Sequence, residues 1–152
     1  MARDPIPTWA FALVLVRFGR RILLVQERKH QQLWYLPAGR VEPGETLVDG
    51  AKRETLEESG IDVTLDGVVA IDHSPKADGT ARLRVIFAGS PTFDTPPRSV
   101  PNEHSLGARW VTLEEMTRLP MRGVDAQAIA THVLGGGAIY PISILRAEHD
   151  PW

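Results

Sequence analysis

Three carboxylates crowd one short stretch of this chain. On a helix turning about 100° per residue, Glu54, Glu57 and Glu58 project into one arc. Leu47, Val48, Ala51 and Thr55 fall in an adjoining arc of roughly 100°, the width of a buried stripe. The acidic arc therefore runs along the seam between helix and core, and Glu58 overlaps its edge. Like charges at i,i+3 and i,i+4 repel by a few tenths of a kcal/mol each. Desolvation beside an apolar stripe adds to that cost. Both costs weigh against a plain solvated acidic face, and a hard divalent cation relieves both. Oxygen ligands in a chain without cysteine favour Mg²⁺ or Mn²⁺ over zinc. Arg53 stands four residues before Glu57 and can hold that carboxylate. Gly50 falls inside the acidic arc, and a mid-helix glycine costs about 1 kcal/mol relative to alanine. It is expected to leave an open spot for a cation or a phosphate. A cation held there would neutralise phosphate oxygens brought beside it and acidify bound water.

The elements that must position these groups are legible from pattern. Residues 9–18 and Arg21 to Val25 are apolar and β-branched, with Gly19 between them, and predict a hairpin. Trp34 to Leu36 predict a short strand ending at Pro37. Residues 38–45 carry two glycines and a proline and predict a loop. Thr46 is a natural N-cap, with Asp49 in the first turn, for a helix over Leu47 to Ser59 that Gly60 stops. Residues 61–73 and 81–89 read as strands around a turn at Pro75 to Gly79. Pro91 to Asn102 contains four prolines and predicts a long surface loop. Trp110 and Val111 close a strand, Thr112 caps a short helix to Leu119, and Asp125 to Leu134 form a longer one. Strands that alternate with helices but include a hairpin predict an α/β protein with a mixed sheet.

Composition narrows the function classes. The chain has 152 residues, 43% apolar and 24% charged, which fits one ordinary globular domain. Its 17 basic and 19 acidic residues leave a formal charge of −2. No broad field favours nucleic acid or a membrane, so no stable nucleic acid partner is expected. The early apolar run Trp9 to Val16 is too short to span a bilayer and lacks a cleavage site after it. The absence of cysteine suits the cytoplasm, and the chain is expected there as a monomer or homodimer. The five histidines show no metal-ligand spacing, and His104 is set apart only by adjoining Glu103.

Residues 39–61 read GRVEPGETLVDGAKRETLEESGI. This resembles the Nudix box, G-x5-E-x7-R-E-U-x-E-E-x-G-U, with Gly39, Glu45, Arg53, Glu54, Glu57, Glu58, Gly60 and Ile61 in register. Thr55 replaces an aliphatic residue. A chance match of the fixed letters is on the order of 10⁻⁸ per start position. The resemblance implies the Nudix fold, an α/β/α sandwich with a mixed β-sheet, over a single domain at 1–152. It implies metal-dependent hydrolysis of a nucleoside diphosphate linked to X, with a nucleotide as substrate partner. The metal set it implies is Gly39, Glu54, Glu57, Glu58 and Glu103, with Mg²⁺ or Mn²⁺. Glu45 and Arg53 support the loop, and the general base is Glu54, Glu57 or Glu103. Arg28 and Arg40 are candidate phosphate contacts, and Trp34 and Phe87 are candidate stacking platforms for a base. Residues 34–46 resemble the branch that hydrolyses 8-oxo-guanosine diphosphates. Nucleotide-sugar or ADP-ribose hydrolysis is the alternative, and a non-catalytic nucleotide sensor the competing class.

Overall fold

The computed structural model describes residues 2–152. Strand β1 (Thr8–Phe18) turns at Gly19, with φ of +61°, into β2 (Arg21–Glu27). The two pair only beside the turn, through Arg17 with Ile22 and Phe18 with Arg21. They then diverge, and β1 has free backbone groups that need partners. Residues expected to be loop supply them. β4 (Ala38–Arg40) is a strand, with Arg40, Gly39 and Ala38 opposite Phe11, Ala12 and Leu13. The glycine-rich composition was overridden by an available sheet edge.

β3 (Trp34–Tyr35) lies antiparallel to β2. Helix α1 (Leu47–Ser59) has the predicted bounds. Thr46 Oγ1 accepts the Asp49 N–H at 3.0 Å, and Gly60 takes the left-handed conformation at φ +75°. β5 (Val63–Pro75) and β6 (Ala81–Pro91) form an antiparallel pair, while β6 runs parallel to β1. That one parallel ladder makes the sheet mixed. β7 (Ser105–Val111) is longer than expected and pairs with the far edge of β2. α2 (Leu113–Met116) is shorter than expected, held by a capping box between Thr112 and Glu115. α3 (Asp125–Leu134) has the predicted bounds.

Alternation along β1 and β6 builds two cores. Ala12, Val14, Val16, Val85 and Phe87 pack toward α1, with Ala51 and Ile61. Leu13, Leu15, Ile86 and Ala88 pack toward α2 and α3, against Met116, Ala126, Ala130 and Val133. This is an α/β/α sandwich with a mixed sheet between its helical layers. Among the described residues, no helix is long and apolar enough to cross a membrane.

Candidate active site

The site is made where β4 passes under α1. Gly39 lacks a Cβ, and one placed there would overlap the Glu54 carboxylate. Only glycine lets helix and strand come this close. Thr55 and Ser59, buried on the inner face, bond back to Ala51 and Thr55 carbonyls at 2.8 and 2.5 Å. Thr55 thus offers a buried methyl where the box has an aliphatic residue, and its hydroxyl is satisfied within the helix.

Arg53 organises the outer side of the seam. Its guanidinium bonds Glu45 twice, Glu54 at 2.9 Å, Glu57 at 3.1 Å and the Arg40 carbonyl at 3.1 Å. The hydrogen bonds from Arg53 hold the Glu45 carboxyl below the usual carboxylate range. Glu45 Oε1 also accepts the Glu42 N–H at 3.1 Å, which folds the loop onto the helix. Gly50 is therefore not an open spot. A Cβ there would meet Glu45 Oε1 at 2.9 Å and Val41 Cγ2 at 3.2 Å, so the glycine admits the supporting glutamate instead of a ligand.

The inner side is desolvated. Burial, and then the neighbouring Glu54 charge, push the Glu58 carboxyl up to about 9, with the Ala38 N–H offsetting part of the rise. Burial also raises Glu54, against the pull of Arg53. Glu27, at the end of β2, is a residue that pattern reading missed. Its Oε2 is buried without a hydrogen-bond partner, while Oε1 lies 3.2 Å from Arg122. Burial raises its carboxyl as well. Its only sequence signal was its place beside Arg28 at a strand end. Val25, Glu27, Glu54, Glu58, Glu103 and His104 line one cavity of about 510 Å³.

The remaining candidates separate. Glu103 sits on the cavity rim with its side chain 87% exposed, and His104 lies 3.3 Å from it and 3.7 Å from Glu57. Arg28 lines the cavity but donates to the Asn102 carbonyl at 2.7 Å, so it braces the loop before Glu103. Arg40 points into a different groove, with Trp9, Phe11, Lys76 and Arg82. Phe87 has no exposed surface and belongs to the core, so it cannot stack on a base. Trp34 is half-buried, with the Arg109 guanidinium 5.1 Å from its ring centre. A larger cavity of about 870 Å³ opens by the β1–β2 hairpin, near Phe18, Phe93 and Trp110. Its lining is mostly apolar, with Arg20, Arg21 and the single carboxylate Asp94, and it does not contain the seam.

A second polar cluster lies on the other face of the sheet. Tyr35 Oη donates to Asp125 at 2.6 Å, and Arg84 bridges Asp125 at 2.8 Å to Asp72 at 2.7 Å. The Arg122 guanidinium that pairs with Glu27 also lies 4.0 Å from the Tyr35 ring centre. An ion pair, a cation–π contact and a phenol hydrogen bond thus run from Glu27 to the sheet surface.

Among the described residues, no three acidic or histidine side chains already enclose a single point. Arg53 lies between Glu54 and Glu57. The donor set nonetheless fits a hard divalent cation. Glu27, Glu54 and Glu58 line one seam where burial raises all three carboxyls, Glu27 Oε2 is an orphaned acceptor, and the Glu54 carboxylate lies directly against the Gly39 backbone because no Cβ intervenes.

A mixed sheet between helices, with a glycine strand seated under a glutamate-bearing helix, makes this an α/β/α sandwich with an acidic seam between strand and helix. The chain belongs to the NUDIX domain family, whose model matches residues 7–132. Hydrolases of that family act on pyrophosphate bonds. The chain is 38% identical over 73 residues to the human 8-oxo-dGDP phosphatase NUDT18, covering 47% of this chain and 21% of that protein. It therefore spans about a fifth of that relative's length. It is 27% identical over 147 residues to the phosphatase NudJ of Shigella boydii, covering 96% of this chain and 95% of that protein. A NUDIX hydrolase from Nitrosomonas europaea superposes with a TM-score of 0.77 at 26% identity, covering 93% of this chain and 97% of that one.

Proposed function

We propose that this chain hydrolyses the anhydride bond of a nucleoside diphosphate linked to X, with Mg²⁺ or Mn²⁺, and that oxidised guanine nucleotides are its substrates. The observation that carries the chemistry is the seam at Gly39, where the Glu54 carboxylate lies against the strand backbone and burial, with the Glu54 charge, raises the Glu58 carboxyl beside it. The Gly39 carbonyl, Glu54, Glu57 and Glu58 would hold the cation, joined by Glu103 once substrate is bound. When bound, it supplies neutralisation of the phosphate oxygens and a more acidic water. Arg53 and Glu45 hold Glu54 and Glu57 in place. One of Glu54, Glu57 and Glu103 takes the proton from the attacking water. The choice of substrate is supported by the resemblance over residues 34–46 and by the likeness to a protein described as an 8-oxo-dGDP phosphatase.

The test is a panel of 8-oxo-dGDP, 8-oxo-dGTP, dGDP, dGTP, ADP-ribose and a nucleotide sugar, each with Mg²⁺, Mn²⁺ or excess EDTA. The expected result is the highest kcat/KM on an oxidised guanine nucleotide and none in EDTA. A higher value on ADP-ribose or the nucleotide sugar would move the substrate to that class. Nucleotide binding without turnover of any compound would make the domain a sensor.

A further inference from the structure

Helix α1 ends in carbonyls that have no partner within the helix. Two of them belong to Glu57 and Glu58, whose side chains form the seam. Both are held by the segment just before β7. Arg98 Nη2 donates to the Glu57 carbonyl at 2.9 Å, the Glu58 carbonyl at 2.7 Å and Ser105 Oγ at 3.1 Å. Ser105 Oγ donates to the Glu58 carbonyl at 2.6 Å. Asn102 Nδ2 donates to the Glu57 carbonyl at 3.2 Å.

Asn102 does more than cap. Its Oδ1 accepts the His104 N–H at 2.8 Å and the Ser105 N–H at 2.9 Å. Its own N–H donates to the Ser105 carbonyl at 2.9 Å, and its carbonyl accepts Arg28 Nη1 at 2.7 Å. One side chain thereby ties the end of α1 to the turn that carries Glu103 and His104. Arg98 already serves both helix carbonyls, so capping alone does not require Asn102. Ser105 and His104 also reach the end of α1, but only the Asn102 side chain both donates to the Glu57 carbonyl and accepts the backbone N–H groups that shape the turn. Glu103 has no brace of its own beyond its contact with His104.

We propose that Asn102 is a positioning residue that fixes the Glu103–His104 turn against α1, so that Glu103 faces the seam. This rests on the hydrolase reading above. It acts through backbone geometry and touches neither metal nor phosphate. Outer-layer partners of metal-binding side chains typically change activity about 10- to 100-fold when removed.

The experiment compares Asn102→Ala, Asn102→Asp, Glu103→Gln and the Asn102→Ala/Glu103→Gln double variant on the fastest nucleotide of the panel. Asn102→Ala is expected to lower kcat about 10- to 100-fold, with KM within about twofold of wild type. Hydrogen exchange should show the His104 and Ser105 amides losing protection. Mn²⁺ binding without substrate, followed by its spin-resonance signal, should stay within about twofold of wild type. Asn102→Asp keeps both acceptors but loses the donor to Glu57, so it should retain those protected amides and lose kcat about three- to tenfold. It carries the test if the alanine variant does not fold. The double variant should match Glu103→Gln alone, because a residue acting through Glu103 has nothing left to position. Wild-type kcat in both Asn102 variants, or multiplying losses in the double variant, would overturn the proposal. If Glu57→Gln and Glu58→Gln also keep full kcat, it is the hydrolase reading that fails. If they lose it while the Asn102 variants do not, the positioning role fails alone.

Discussion

Arg53 grips Glu45 with two parallel hydrogen bonds, Nε to Oε2 at 2.7 Å and Nη2 to Oε1 at 2.9 Å. The same guanidinium reaches Glu54 and Glu57 through Nη1. One planar fork thus fastens the loop before α1 to the acidic face of the helix. An ammonium cannot reproduce that geometry. Arg53→Lys is expected to lower kcat about 10- to 100-fold, with a smaller change in KM. Steady-state kinetics at saturating metal check this, and wild-type kcat would show that charge alone suffices.

The seam also predicts a response to neutralisation. Glu57→Gln and Glu58→Gln keep shape but weaken a cation's ligands, so each should lower kcat at least about 10²-fold. Circular dichroism should show the fold intact, since Glu57→Gln removes like charge from the seam and the buried Glu58 carboxyl, raised to about 9, already favours the neutral form that glutamine mimics. Full kcat in both variants returns the helix to a solvated acidic face.

The Tyr35–Asp125 pair sets a window of pH stability. Burial, and then the hydrogen bond to Asp125, push the Tyr35 phenol up to about 12. A raised folded value contributes stability that is complete below the phenol's ordinary value and is lost as pH climbs toward 12. Burial alone would raise Asp125, but the Tyr35 hydroxyl and the Arg84 guanidinium outweigh it and leave its carboxyl lowered. That contribution is present above the ordinary aspartate value and is lost as pH falls through the lowered one. Phenolate absorbance should show one group ionising near pH 12 in the folded protein. Tyr35→Phe should remove that transition and flatten the alkaline loss of stability. A titration unchanged by Tyr35→Phe would contradict the assignment.

The segment between β2 and β3 carries avoidable strain. His30, Gln31 and Gln32 all have positive φ, at 53°, 61° and 60°. A left-handed backbone costs roughly 1–2 kcal/mol for an ordinary residue, while glycine pays extra unfolded-state entropy of about 0.4–1 kcal/mol. Gln31→Gly should therefore raise unfolding free energy by about 0.5–1 kcal/mol. Urea denaturation measures it, and a lower midpoint at unchanged slope would place the backbone elsewhere.

Chain-local chemistry was legible without coordinates. Thr46, the apolar stripe and Gly60 determined where α1 begins and ends, because caps and periodicity act over a few residues. The same reading put the carboxylates beside the apolar face. It could not tell that Gly50 is filled by Glu45 and Val41, or that Phe87 lies in the core and Arg40 faces another groove. Those outcomes depend on which strand edge is free and which face each residue turns inward. The β4 strand shows the rule. Residues 38–40 have loop composition, and only the divergence of β1 from β2 made them a ladder partner. Glu27 and Asn102 were silent for a related reason. Neither has a motif of its own, and each gains its meaning from residues brought beside it by the fold, Glu58 and Arg122 for one, Glu57 and Arg28 for the other. Local propensity needs only neighbours in sequence, whereas burial, pairing and charge balance at this seam are properties of distant segments in contact.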